Sequence, residues 1–398
     1  MTTERRHDID WLRVIAIGLL LIYHIAIIFQ PWALFIGFIK SDEPIESLWK
    51  PMTMLNVWRI PLLFYVSGMG LYFALKKRNW KQLLVERSKR ILLPFIFGII
   101  AITPLHMYVF QEYYNLPLSY YPHMGHLWFL GNIFAYVILL LPLFFYLKKN
   151  EEGRFRKGLS ILMKRPIGPL LISVFFVLEA VLIKPQLFEM YAQTWHGFIL
   201  GFIAFFFGFL LVYSGKEFWQ TVLKWRWLYI GVAAILFAIR IFAFETATPS
   251  YLMAIESNCW IFGVFGFSYK YLNKPSNLLS YLSQAAYPVY IIHMFVLYFG
   301  ALIILPLEIH PMLKFIAVVT FTGSFCYIIY EFIIRRIGFL RPLFGLKWKF
   351  NKVEKQKFEY NRVSKKDLLN IKNPLDLALK DLSETDKKNS NIRLPGNY

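Results

Sequence analysis

Acidic residues are scarce in this chain and cysteines nearly absent. Its 398 residues include 24 Asp and Glu against 44 Lys and Arg, and two cysteines. Cys259 and Cys326 both stand in apolar runs with no CxxC spacing, which excludes a disulfide framework, and no metal site is expected. Also missing are a Walker A glycine loop, a GxSxG elbow, an HExxH helix and any repeat of roughly 20–50 residues. The common soluble phosphoryl-transfer, hydrolase and metalloprotease chemistries therefore have no anchor. Charged residues make up 17% of the chain and hydrophobic ones 57%, with a mean hydropathy of +0.47. That balance excludes an ordinary soluble globular protein.

Present instead are apolar runs long enough to span a bilayer, at about 11–29, 52–75, 91–110, 127–147, 168–184, 196–213, 227–244, 251–272, 285–305 and 312–334. They predict an all-α, polytopic membrane protein of about ten transmembrane helices, multi-pass in the plasma (inner) membrane. A formal charge of +20 would point to nucleic acid in a soluble chain, but no nucleic-acid motif accompanies it, and here Lys and Arg report topology. Nineteen Lys and Arg fall in the even-to-odd connections against three, Lys40, Lys50 and Lys184, in the odd-to-even ones, so both termini are expected in the cytoplasm. Arg5 and Arg6 precede the first run as in a signal sequence, yet no small-residue cleavage site follows, and an uncleaved helix is expected. Residues 1–335 form the membrane domain. Residues 336–398, with 16 Lys and Arg against 7 Asp and Glu from Arg335 onward, read as a loosely ordered basic cytoplasmic tail drawn to anionic lipid.

The first run carries Asp10, Arg13 and His24. At about 100° per residue, eleven steps bring His24 to within roughly 20° of the face holding Arg13, about 16 Å further along the axis. Asp10 lies one turn before Arg13, where its carboxylate can orient the guanidinium. Arg13 alone could be a snorkelling anchor. An imidazole at the depth of His24 faces a bundle interior or a wet cavity and is a functional candidate, the alternative being a buried structural histidine.

Arg59, Glu179, Arg240, Glu256, His293 and Glu331 also fall within spans. A lone charge there costs about 2.5–3.5 kcal/mol, so partners at matching depth are expected, Arg240 with Glu256 first. In the second span, Pro61, Ser67, Gly68 and Gly70 fit either a kinked, cavity-lining helix or close helix packing. Arg87 and Arg90 share a face before Pro94, as topology anchors or as a phosphate clamp suited to guanidinium geometry. The Tyr-rich loop 111–126 is an interfacial belt or a sugar-stacking surface; His123, His126 and Trp128 favour the latter.

Asp10, Arg13 and His24 together, with ten residues between the arginine and the histidine, resemble the first-helix pattern of the integral-membrane acyltransferases called acyltransferase type three. Phe64-Tyr-Val-Ser67-Gly68, Arg87-Ser-Lys-Arg90-Ile-Leu-Leu-Pro94, His126-Leu-Trp128-Phe-Leu and Ser283-Gln-Ala-Ala-Tyr287-Pro-Val-Tyr290-Ile-Ile-His293 also resemble it, over residues 5–335. The resemblance implies a cytoplasmic acyl-CoA donor, bound as substrate with no permanent cofactor, and a glycan or glycolipid hydroxyl as acceptor. It carries the family's arginine and histidine onto Arg13 and His24. The patterns that begin at His126 and at Ser283 resemble glucan-modifying members, whose acyl group is acetyl or succinyl. An imidazole, with an ordinary pKa of about 6.5, suits deprotonation of a hydroxyl at neutral pH. The expected assignment is His24 as base, Arg13, Arg87 and Arg90 at the donor, Arg59, His126, Trp128 and His293 at the acceptor, and Asp10 and Ser67 in support.

A proton-coupled transporter or exporter using His24, His293 and the buried carboxylates is the competing reading, weakened by the absence of inverted repeats. Topology is tested first. Reporter fusions after Lys40 and after Lys157 are expected to read outside and inside respectively; the opposite pattern would remove the cytoplasmic donor side.

Overall fold

In the computed structural model, residues 6–244 and 248–348 are described, and among them every regular element is helical. Eight helices are long and apolar enough to cross a membrane: α1 (His7–Ile28), α2 (Glu46–Lys76), α3 (Trp80–Tyr113), α4 (Gly125–Lys149), then α7 (Trp195–Tyr213), α8 (Lys216–Phe244), α10 (Asn277–Ile304) and α11 (Pro311–Ile334). Between α4 and α7 lies a pair, α5 (Arg154–Met163) and α6 (Ile167–Ile183), bent by 109° and counting as a ninth span if taken together. Each of the ten expected runs is helical, but the number meeting the length and apolarity of a span among the described residues is eight or nine, not ten. The shortfall falls on α9 (Ser250–Tyr271), where Glu256, Ser257, Asn258 and Lys270 dilute the apolar run. The first three of these are fully buried, so protein rather than lipid surrounds them. The protein is a multi-pass membrane protein. Most of the expected basic tail, residues 349–398, lies outside the described residues.

Helix α2 is the most enclosed of the spans and packs along α7, with α1, α9 and α4 also against it. Its closest approach to α7 is made by a glycine from each side. A Cβ on Gly68 would run into the Phe205 carbonyl oxygen, and one on Gly208 into the Tyr65 carbonyl oxygen. Small residues that let backbones meet are a principal means of joining helices in lipid, where apolar burial drives little. α2 continues through Pro61 without a break, so close packing is the reading of Gly68 that the structure supports. Ser67 is tied into the same helix by its hydroxyl, which donates to the Leu63 carbonyl at 2.7 Å.

Helix α1 sits between α2 and α10 and is pinned at its start. The His7 backbone N–H donates to Asn273 Oδ1 at 3.0 Å, and the Arg6 guanidinium lies 3.6 Å over the Trp219 ring while donating to buried Asp8 at 2.9 Å. Helix α3 contains two widened turns, Ser88–Leu92 and Gly98–Ile102, in which a backbone N–H reaches back five residues. Such turns in a long helix often mark functional positions.

Because the α2–α7 approach leaves no room for a side chain, Gly68→Leu and Gly208→Leu are each expected to lose about 1–3 kcal/mol through overpacking. Gly18→Ala, with nothing within 4 Å of the new methyl, is expected to be neutral. Melting temperatures of the purified variants in detergent check this, and an unshifted Gly208→Leu would refute the contact.

Candidate active site

His24 and His293, distant in sequence, meet where α1 faces α10. Nδ1 of His24 and Nε2 of His293 are 2.9 Å apart, and the rings are parallel with centroids 5.1 Å apart. His293 is fully buried and its Nδ1 lies 2.6 Å from the Tyr290 carbonyl oxygen. His24 is half-buried, flanked by Phe38 from the 29–45 loop and by Tyr23. That loop is folded back on α1 by backbone bonds from Ser41 to Ile28 and from Ile45 to Phe29, both 2.8 Å.

Next to Tyr23 stands Arg59 of α2, 1% exposed. Its guanidinium carbon is 3.9 Å above the Tyr23 ring, Nη1 is 3.5 Å from the Leu19 carbonyl oxygen, and its Nε, buried, has no hydrogen-bond partner. Among the described residues no carboxylate pairs with it. Tyr23 continues into Trp49 and Trp32, ring to ring at 5.4 and 4.6 Å, so the cation lies against an aromatic wall.

Beyond His293 the histidines continue. His126 stands edge-on to His293 at 4.8 Å, with Nε2 donating to the Ile291 carbonyl at 3.1 Å, while the Tyr290 hydroxyl donates back to the His126 carbonyl. His106 lies 6.1 Å from His126 and 5.2 Å from His123, centroid to centroid. Nδ1 of His126 and of His106 are buried without a partner. Burial holds His123, in the 114–124 loop, below the ordinary imidazole range, against a backbone hydrogen bond with Tyr121 that raises it.

At the other end of α1, Arg13 is 3.6 Å from Asp10, and Gly70 of α2 leaves it room. Arg87, just before the first widened turn of α3, and Arg90, within it, are near enough to Arg13 for mutual repulsion. Glu86 Oε1 is 3.3 Å from Arg90 Nε, and its Oε2 is 3.4 Å from Arg78 Nε and 4.0 Å from Arg87 Nε. Two carboxylates thus face four guanidinia, leaving an excess of positive charge among the described residues.

A family model described as an acyltransferase domain, acyltransferase family 3, matches residues 6–331. The chain belongs to this acyltransferase family. It is similar to glucans biosynthesis protein C of Escherichia coli (strain SMS-3-5 / SECEC), 24% identical over 382 residues that cover 86% of this chain and 95% of that protein. The proteins of the same name from Escherichia coli O81 (strain ED1a) and Shigella dysenteriae serotype 1 (strain Sd197) are each 23% identical over the same shares. No solved structure matches the chain.

In this acyltransferase the expected site residues divide. His24, Arg59, His126 and His293 come together on one side, and Arg13, Asp10, Arg87 and Arg90 on the other. Trp128 does not join them: it is 8% exposed and packs on Phe64 and Phe129. Ser67 is likewise occupied within its own helix. Arg240 and Glu256 pair as expected, at 2.8 and 3.1 Å, with Thr53 O and Trp260 Nε1 completing the set. These partners are protein groups, which marks a structural pair. Sequence reading missed Glu86, Tyr23, His106 and the Trp32–Trp49 pair. The i,i+4 spacing of Glu86 and Arg90 was the available signal for the first. A hollow of about 500 Å³ lined by Glu151, Arg156, Lys157, Ser214 and Glu217 contains none of the site residues.

Proposed function

We propose that this acyltransferase moves an acyl group from acyl-CoA to a hydroxyl of a glucan. The observation that carries the reading is the placement of an imidazole and an under-neutralised arginine cluster at opposite ends of one helix. A CoA thioester has the same polarity, with phosphates at one end, a long flexible arm, and the reactive carbonyl at the other. Arg87 and Arg90 would hold the phosphates through charge-assisted hydrogen bonds, with Arg13 beside them. With the amino terminus in the cytoplasm, that end faces the donor pool. The curated relatives are named for glucan biosynthesis, and a wall of Tyr23, Trp49 and Trp32 is the kind of surface on which sugar rings stack.

In the transfer, the acceptor hydroxyl loses its proton to His24 as its oxygen bonds to the thioester carbonyl carbon. The carbon–sulfur bond then breaks, the acyl group stays on the acceptor oxygen, and the departing thiolate takes the proton back from the imidazolium. No net proton is released. Arg59, buried without an anionic partner among the described residues, supplies donors where negative charge develops on the carbonyl oxygen. Polar groups in this setting act through a low dielectric and need no reorganisation.

Single-turnover transfer from labelled acyl-CoA, measured beside direct CoA binding, tests the reading. His24→Ala is expected to slow transfer by about 10²–10⁴-fold with CoA affinity kept. The Arg87→Ala/Arg90→Ala pair is expected to weaken CoA binding by on the order of tenfold or more, since each charge-assisted hydrogen bond contributes about 1.5–3 kcal/mol. Full transfer by His24→Ala would leave a structural histidine, and unchanged CoA affinity in the double variant would leave topology anchors.

A further inference from the structure

We propose that His293 is a positioning residue: it fixes the tautomer of His24 and so directs the free electron pair of the base to Nε2. This rests on the reading of His24 as the base. The argument is one of hydrogen-bond directions. A backbone carbonyl can only accept, so at 2.6 Å from the Tyr290 oxygen the Nδ1 of a neutral His293 must carry the proton. The opposite tautomer would press two electron pairs together. With its proton on Nδ1, His293 presents a bare Nε2, and at 2.9 Å the Nδ1 of His24 must then be the donor. His24 is left with an unprotonated Nε2, the atom a hydroxyl can use. That atom makes no hydrogen bond to a described residue and is not among the sealed, unpartnered atoms of the interior. His24 itself is half-buried, as a base that meets an acceptor must be.

The frame behind His293 is stiff. Its bond to Tyr290 lies within one turn of α10, where the Tyr290 hydroxyl donates to the His126 carbonyl and the His126 ring donates to the Ile291 carbonyl. His126 stands edge-on against the His293 ring, and the ring is fully buried. The tautomer is thus set by protein groups before any substrate arrives. The general precedent is the partner that orients a metal-bound or catalytic imidazole through its other nitrogen.

The test combines a spectroscopic and a kinetic readout on the full chain. Protein labelled with ¹⁵N-histidine, with the His24 signals assigned by their loss in His24→Asn, is expected to show the Nδ1–H tautomer for His24. In His293→Phe, which keeps a ring but removes the acceptor, the His24 signal is expected to become a mixture, and kcat to fall about 10–100-fold. KM for donor and acceptor should stay within about twofold, since ground-state binding is untouched. His293→Gln, whose amide oxygen lies near the position of the lost nitrogen, is expected to recover most of the rate. An Nε2–H tautomer in the wild-type spectrum overturns the proposal even if His293→Phe fails to fold. So does equal loss in the Gln and Phe variants with melting temperature kept, or an unchanged kcat in both. Full transfer by His24→Ala would instead overturn the base itself with the wild-type tautomer unmoved, so the two failures are told apart.

Discussion

Inside a bilayer a polar group has no water to fall back on, and that constraint organises this protein. Each charged or hydrogen-bonding side chain within a span must find a partner in the protein or cost several kcal/mol. The partners found here cross between helices. Arg240 of α8 meets Glu256 of α9, His196 of α7 meets Glu179 of α6 at 2.8 Å, and Tyr65 of α2 meets Asn258 of α9 at 2.8 Å. These bonds let α9, the least apolar of the expected spans, lie within the bundle. They also fix which helices are neighbours, since every such pair satisfies groups from two different elements.

At the proposed site several groups are left incomplete. Among the described residues, Arg59 has a buried nitrogen without an acceptor and no carboxylate, and His126 and His106 each have a buried ring nitrogen without a partner. By contrast, the interior ion pair of Arg240 is bonded on both carboxylate oxygens and capped by a backbone carbonyl. Around His24, then, a cation and two imidazoles keep donors or acceptors that a substrate can use. The same contrast holds at the far end of α1, where Glu86 is shared among three guanidinia.

The glycine contact between α2 and α7 complements these bonds. It sets α2 in the centre of the bundle, with α1 against it, and so places Arg59 beside Tyr23 and Gly70 beside Arg13. Helix α2 thereby touches both ends of the proposed donor path. Arg87 stands just before the widened turn at Ser88–Leu92 and Arg90 within it, and their charge is gathered with that of Arg13.

The sequence by itself determined the class of protein and the face of the first helix. Apolar runs of fixed length dictate helices in a membrane, and the 3.6-residue turn dictates that Arg13 and His24 lie along one stripe, because both rules act locally along the chain. The pairing of Arg240 with Glu256 was legible for a similar reason, as a short loop joins their helices. Local rules located the ten helical runs, but they could not tell that the polar residues of α9 would be enclosed by protein. Nor could they place the side chains of Trp128 and His293 among their neighbours. Tertiary structure alone decided that Trp128 fills the core and that His293, 269 residues from His24, bonds to it. Such a contact depends on which helices pack together, and that is settled by glycines, ion pairs and shape acting across the whole bundle rather than by any pattern within one segment.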